Sequence, residues 1–181
     1  MSGIIGSALF AATGVWEMIS PASSADGSQI LDSTHFRIAG IMMVLAYLGW
    51  LAIALAFYVR GAMGSGWLGK MALVIMAVGV VAAVADQISR FLAVQETQLA
   101  PWRIILFIAA VFVAPILLGV AAWRARVISL WKAPYPIVMV AVMPFVLWAL
   151  SGVIGPGLVV LLQGLLWLGF AAIVYAGQAS A

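Results

Sequence analysis

The chain has 181 residues, of which 67% are hydrophobic and only 7% are charged, and it contains no cysteine. This composition leaves too little polar surface for a soluble fold, so it predicts a protein whose solvent is largely lipid. The missing cysteines exclude disulfides, thiolate catalysis, iron–sulfur clusters and cysteine-ligated zinc. The formal net charge of +3 comes from scattered Lys and Arg residues without a basic run, which argues against nucleic acid binding.

Six apolar segments follow one another along the chain, separated by polar residues or by Gly and Pro. Because backbone groups in hydrocarbon must bond within their own segment, we predict that all six are α-helices. The chain is therefore predicted to be one all-α domain over residues 1–181, an integral membrane bundle of six transmembrane helices. The predicted helices cover residues 4–19, 38–59, 71–92, 104–123, 137–154 and 158–175.

The first segment, residues 4–19, has an apolar core followed by small residues, as cleaved secretory signals do. No Lys or Arg precedes it, however, and such signals begin with a positive charge. We therefore interpret it as a retained first membrane helix. At about 1.5 Å per residue it is short for a full span.

The segment between the first two predicted helices is the longest polar stretch of the chain and contains Asp32 and His35. Their spacing occurs in metal sites, but further ligands would have to come from across the bundle. A helix N-cap at Asp32 or Ser33, facing water, explains the same residues without a metal. The single histidine cannot supply both axial ligands of a bis-histidine b-type haem, which disfavours that cofactor.

The third segment contains the stretch GVVAAVADQISRFLAVQE, in which polar residues interrupt an apolar run. Counted from Lys70, Asp86 lies about 24 Å along the helix axis, in the outer quarter of a core of about 30 Å. Asp86 and Arg90 are four residues apart, a spacing that permits an ion pair on one helix face. Residues of comparable depth on other helices complete a predicted outer polar cluster, which comprises Glu17, Asp86, Gln87, Arg90 and Gln163.

The predicted outer polar cluster has two interpretations that the sequence leaves open. It can fix the register of the helices, because small residues on the same face as Asp86 let another helix come close. It can also line a shallow, outward-facing ligand site, because charges inside membranes often mark function. No titratable residue is predicted near the middle of any helix, which disfavours a pump or a proton-coupled carrier.

Prolines and glycines interrupt the last three segments. Pro115 and Pro144 are each predicted to distort a helix, because proline lacks a backbone donor and crowds the preceding turn. Neither has a glycine pair or a charge in its own turn, so we interpret both as structural rather than as transport hinges. The stretch SGVIGPG predicts a tight antiparallel hairpin between the fifth and sixth helices.

Aromatic residues occur both at the predicted helix ends and within the segments. Tryptophan and tyrosine at the ends are typical of the interfacial belts of membrane proteins. Four aromatic residues lie deeper, where they need either packing partners or a bound apolar ligand. We predict that they fill the bundle core, since large aromatic surfaces are normal core material. These four are Tyr47, Trp50, Trp148 and Trp167.

The basic residues alternate between the two predicted sides of the membrane. Five lie in the second and fourth connections, namely Arg60, Lys70, Arg124, Arg126 and Lys132, and three lie on the other side. This asymmetry predicts that both termini are cytoplasmic in an inner membrane, with all five acids near the outer face. The stretch WRARVISLWKAPYP combines basic residues with tryptophans and is predicted to rest on anionic lipid and set the orientation.

Catalytic motifs are absent from the sequence. No serine lies in a G-x-S-x-G context, and there is no Walker A, G-x-G-x-x-G or HExxH motif, so nucleotide use is disfavoured. An enzyme acting on lipid at the outer leaflet through Asp32, His35 or Glu17 is the least favoured hypothesis.

Several stretches share their order and character with a known group of proteins: a short first helix, a polar loop into HFRIAG, the turn VRGAMGSGWLGK, and a basic loop before a terminal hairpin. In these features the chain resembles small six-helix bacterial inner-membrane proteins of unknown function. The resemblance implies the fold and the location, and it implies no catalytic residue.

The sequence favours a non-enzymatic multi-pass membrane protein. It predicts either an accessory subunit of a membrane complex or a bundle that binds lipid or a small apolar ligand. The predicted partners are membrane lipids and another protein or a second copy, docked through small-residue helix faces. The alternative hypothesis is a transporter or channel for a small, weakly polar solute.

Overall fold

A computed structural model describes residues 2–19, 34–92, 101–126, 132–140, 142 and 156–176. Within these ranges all regular structure is helical, which confirms the all-α prediction for this part of the chain. Residues 135–140 form a short helical stretch. The other elements are α1 (Ser2–Ile19), α2 (Thr34–Val59), α3 (Trp67–Leu92), α4 (Pro101–Ile108), a π-helical segment (Ala109–Val113), α5 (Ala114–Ala125) and α6 (Pro156–Ala176).

Four helical stretches are long and apolar enough to cross a membrane, namely Arg37–Val59, Trp67–Ser89, Pro101–Ala125 and Leu158–Tyr175. The apolar part of α1, Gly3–Trp16, is shorter, as the sequence predicts. The fifth predicted helix, residues 137–154, lies mostly outside the described residues, so the full set of six spans stays a prediction.

The helices begin earlier than predicted, at residues 2, 34, 67, 101 and 156 instead of 4, 38, 71, 104 and 158. The reason is that an apolar run marks only the part of a helix inside the hydrocarbon. Backbone hydrogen bonding continues through the headgroup region, where polar and aromatic side chains are tolerated.

Helix α1 lies between α2 and α6 and runs antiparallel to both. Along α1, Gly3 meets Ile53 and Gly6 meets Gly49, so the residue numbers rise on one helix as they fall on the other. Helices α2 and α6 run parallel to each other, because Trp50 stacks on Trp167 near their middles and Arg60 donates a hydrogen bond to the Val174 carbonyl near their ends. The start of α1 and the end of α6 therefore lie at the same end of the bundle, which is the end that contains Arg60.

Glycine is required where α1 and α2 touch. A Cβ atom added to Gly49 would lie 2.5 Å from the Gly6 Cα atom, closer than real Cβ atoms come to a neighbour. Gly164 of α6 abuts Ala11 of α1 in a similar way, with the added Cβ atom 2.6 Å from the Ala11 Cα atom. Such small residues let helix backbones approach closely in membranes, where packing rather than the hydrophobic effect drives association.

An aromatic cluster fills the space between α1, α2 and α6. Trp50 and Trp167 are each 1% exposed and stack with ring centroids 4.6 Å apart and an interplanar angle of 12°. Phe10 packs on Trp50 at 4.7 Å, and Tyr47 contacts both Trp50 and Phe107. These contacts confirm that Tyr47, Trp50 and Trp167 belong to the core, while Trp148 lies outside the described residues.

The helix around Pro115 is widened rather than broken. Pro115 has no N–H and its ring would crowd the carbonyl four residues earlier, at Val111. The preceding residues Ala109–Val113 are π-helical, and the Ala114 N–H bonds to the Ala109 carbonyl five residues back. The predicted distortion of this helix is therefore a π turn. The second proline of the prediction, Pro144, lies outside the described residues.

Candidate functional site

Asp86 is a buried acidic residue of α3, only 7% exposed, and it lies at the end of the bundle opposite Arg60. Its helix face also carries Gly79, Ala82 and Ala83, which are buried. A Cβ atom on Gly79 would collide with Ala110 and lie 2.6 Å from the Leu106 carbonyl oxygen. Small residues on α3 thus bring the backbone of the following helix close and place the Asp86 side chain against it.

The ion pair shown for Asp86 is with Arg103 of α4, whose Nη1 atom lies 3.7 Å from the Asp86 Oδ1 atom. The same Nη1 atom donates to the Ser89 Oγ atom at 3.4 Å, and Ser89 in turn donates to the Ala85 carbonyl at 2.7 Å. Both contacts of the guanidinium are longer than the 2.7–2.9 Å usual for charge-assisted hydrogen bonds. The pair therefore tethers α3 to α4 by electrostatic attraction rather than by a tight bidentate contact.

The Arg103 side chain is only partly withdrawn from the surface. It is 27% exposed, and its guanidinium carbon lies 5.2 Å from the centre of the Trp102 ring. Its Nε atom is buried and has no hydrogen-bond partner among the described residues. Arginine and tryptophan together are common at the headgroup level, where one end of a side chain is wet and the other is apolar.

Sequence reasoning chose Arg90 as the partner of Asp86 and missed Arg103. The Arg90 side chain is outside what the structure describes, so that pairing stays a prediction. The missed signal was topological: α3 and α4 are joined only by residues 93–100, so their adjoining ends must lie side by side. Arg103, two residues into α4, therefore had to come near the end of α3.

The remaining members of the predicted cluster are placed on three helices. Gln87 is half-buried on α3, and Gln163 is half-buried on α6. Gln163 makes no hydrogen bond with a described residue, so the predicted bond to Asp86 is not among those that the structure shows. Glu17 lies in the last turn of α1, and its side chain is outside the described atoms.

The predicted metal ligands cannot be assembled from the described side chains. Asp32 lies outside the described residues, as does the side chain of His35, although the His35 backbone belongs to α2. In the part of the chain that is described, no group of three His, Cys, Asp or Glu residues could hold a metal ion.

Buried polar side chains in the described ranges are Ser7, Thr13 and Asp86. The Ser7 hydroxyl donates to the Gly3 carbonyl and the Thr13 hydroxyl to the Leu9 carbonyl, both at 2.9 Å within their own helix. Hydroxyls bonded in this way do not present a free donor to a passing solute. The interior between α1, α2 and α6 is therefore filled mainly by rings and small residues, and the Trp50 Nε1 group is buried there without a hydrogen-bond partner among the described residues.

Compared with known proteins, the chain matches no family model, no curated protein and no solved structure. Any functional assignment therefore depends on the geometry of the helices and of the Asp86–Arg103 pair.

Proposed function

We propose that the chain is a non-enzymatic, six-span protein of a bacterial inner membrane that acts by binding, as an accessory subunit of a membrane complex or as a lipid-binding bundle. In this proposal both termini face the cytoplasm. The observation that carries it is the packed aromatic and small-residue interior, in which two of the buried polar side chains bond to their own helix backbone. A reaction or a polar solute would need convergent polar groups instead.

The exposed apolar surface of the helices supports a role in binding lipid or a partner protein. In the apolar windows of the four candidate spans only 28–41% of the residues are buried within the chain. The outward faces carry large apolar side chains on every long helix, among them Leu45 and Leu48 on α2 and Val74 and Val81 on α3. A surface of this kind requires either lipid or the transmembrane helices of a partner.

Copurification in mild detergent, followed by native mass spectrometry, tests the subunit form of the proposal. We expect a partner chain at a fixed stoichiometry, lost when small residues on an exposed helix face are replaced by bulky ones. A clean monomer obtained under several mild conditions would contradict the subunit form and leave the lipid-binding form.

A transporter for a small, weakly polar solute is the second candidate, favoured by the π-helical segment beside Pro115, since π turns inside α-helices are frequent at functional sites. Reconstituted flux tests it. Flux that is lost when Asp86 and Gln163 are replaced together would support this candidate, and an absence of flux in well-oriented proteoliposomes would contradict it.

A further inference from the structure

A cleft of about 450 Å³ opens at the Arg60 end of the bundle. One wall is the turn between α2 and α3 with the start of α3, residues 63–68, and the other is the last turns of α5, with Ala121, Arg124 and Ala125. Its volume lies within the range of about 300–1,000 Å³ found for small-molecule sites. The cleft is thus large enough for a headgroup-sized ligand.

The floor of the cleft is apolar, whereas its rim is polar. Met63 is buried at 2% exposure and Leu68 is half-buried, so part of the lining is apolar. Ser65 is exposed at the rim, and a Cβ atom on Gly66 would meet nothing within 4 Å, so the space above Gly66 is open. An apolar floor with a polar rim suits an amphiphile better than a fully hydrated ion.

Arg124 contributes the positive charge of the cleft. Its side chain is exposed, and among the described residues it has no hydrogen bond or ion pair. Arg60 at the same end is used differently, because it donates to the Val174 carbonyl and lies 4.7 Å over the Tyr175 ring. Of these two arginines, Arg124 is the one that lines the cleft and is available to a ligand.

Among the described residues, no acidic residue lies at the Arg60 end. Asp86 and the last turn of α1, which contains Glu17, are at the opposite end of the bundle, and the other three acids lie outside the described residues. Five cations belong to the Arg60 end: Arg60, Lys70, Arg124, Arg126 and Lys132. No described carboxylate therefore competes with an external anion for Arg124.

Two tryptophans set the depth of the cleft. Trp67 lines it and is 65% exposed, and Trp123, beside Arg124, is 57% exposed. Exposed tryptophans of membrane helices lie at the level of the lipid headgroups. From Trp67 an exposed apolar stripe continues along one face of α3 at helical spacing, through Met71, Val74 and Val78. The cleft thus opens onto a path that an acyl chain can follow.

We propose that this cleft binds the phosphate headgroup of an anionic phospholipid, with Arg124 contacting the phosphate and the α3 stripe contacting an acyl chain. The inference rests on the lipid-binding form of the proposed function and names the class of lipid and its place. A soluble phosphate ester shares the headgroup chemistry but has nothing to place on the apolar floor or the stripe.

Native mass spectrometry of the full-length protein, titrated with phosphatidylglycerol and with zwitterionic phosphatidylcholine, tests the site. We expect one phosphatidylglycerol to bind more tightly than phosphatidylcholine. Arg124→Gln should weaken phosphatidylglycerol binding by roughly ten-fold, because a hydrogen bond to a charged group is lost. Arg126→Gln is the matched control: it removes the same charge at the same end from a residue outside the cleft lining, and binding should fall less than two-fold.

A second variant distinguishes binding in the cleft from electrostatic attraction alone. Gly66→Leu fills the open space without changing the net charge, and we expect it to weaken phosphatidylglycerol binding as much as Arg124→Gln does. Equal losses in Arg124→Gln and Arg126→Gln, or full binding in Gly66→Leu, would overturn the proposal in favour of diffuse attraction to the membrane surface.

Competition with glycerol 3-phosphate distinguishes a lipid from a soluble ligand. We expect no displacement at millimolar concentration, because the competitor lacks acyl chains. Displacement by micromolar glycerol 3-phosphate would overturn the assignment to a lipid. Binding of both lipids with equal affinity would overturn the headgroup site and leave the lipid-binding form of the proposed function standing, whereas binding of neither lipid would contradict both.

Discussion

At the scale of single residues, the Asp86–Arg103 pair is a charged link between two helices of an otherwise apolar bundle. Its separation of 3.7 Å and the partial exposure of Arg103 place it between a buried and a surface ion pair. Surface pairs contribute about 0–1 kcal/mol, whereas breaking a buried pair costs about 3–5 kcal/mol. We therefore expect a modest but measurable coupling.

A double-mutant cycle of Asp86→Asn and Arg103→Gln measures this coupling. Each single variant should lower the free energy of unfolding, and the coupling energy should be about 1 kcal/mol, because each change leaves the other charge in a poorly solvated position. Unfolding can be followed during titration with a denaturing detergent. Lys70→Gln, which removes an exposed cation, serves as the control, and a coupling energy near zero would contradict the tether between α3 and α4.

For single residues, the sequence predicted burial but not the partner of the Asp86 ion pair. Burial of Asp86 followed from the small residues on its helix face, and the core positions of Trp50 and Trp167 followed from their depth in apolar segments. The partner Arg103 did not follow, because pairing across helices depends on rotation and tilt that a single sequence does not contain. Helix periodicity reports neighbours within a helix more reliably than neighbours between helices.

At the scale of elements, the positions of the helices were predictable and their contacts were not. Long apolar runs predict helices because the bilayer leaves the backbone no other partner. The order in which helices pack depends on small residues such as Gly6 and Gly49, which look alike in sequence wherever they occur. The π turn before Pro115 follows from a missing donor, whereas the contact of its Ala110 with Gly79 of α3 could not be predicted from the sequence.

The contact between α1 and α2 predicts a sharp difference between two positions on α1. Gly6→Val should lower the free energy of unfolding by about 3 kcal/mol, because the new side chain would meet the α2 backbone and force the helices apart. Ala8→Val is the matched control, since Ala8 is exposed, and its effect should stay within about 0.5 kcal/mol. Thermal unfolding in a mild detergent compares the two, and similar losses in both variants would contradict the observed helix contact.

At the scale of the whole molecule, charge is divided between the two ends of the bundle. The connection between α2 and α3 and the chain after α5 carry basic residues at one end, and Asp86 lies at the other. By the rule that basic loops stay in the cytoplasm, the Arg60 end should face inward. The sequence alone predicts this orientation, since it depends only on the order of charges and spans.

The absence of native cysteine makes this orientation directly testable by labelling single introduced cysteines. A membrane-impermeant maleimide applied to spheroplasts should label Met18→Cys and Pro101→Cys, both exposed at the Asp86 end. Ser65→Cys and Lys132→Cys, exposed at the Arg60 end, should react only after permeabilisation. The reverse pattern would contradict the orientation. Equal labelling of all four positions would contradict the placement of the two pairs of positions at opposite ends of the bundle.

The position of α1 between α2 and α6 has a consequence for biosynthesis. This helix is synthesised before the other described helices, whereas α6, one of the two helices that flank it, is synthesised after them. Until then the face of α1 around Ala11 lacks Gly164, the neighbour that it abuts in the finished bundle. A nascent chain halted before residue 156 would therefore lack the α6 surface that packs on α1, and this packing would be completed only as α6 is released into the bilayer.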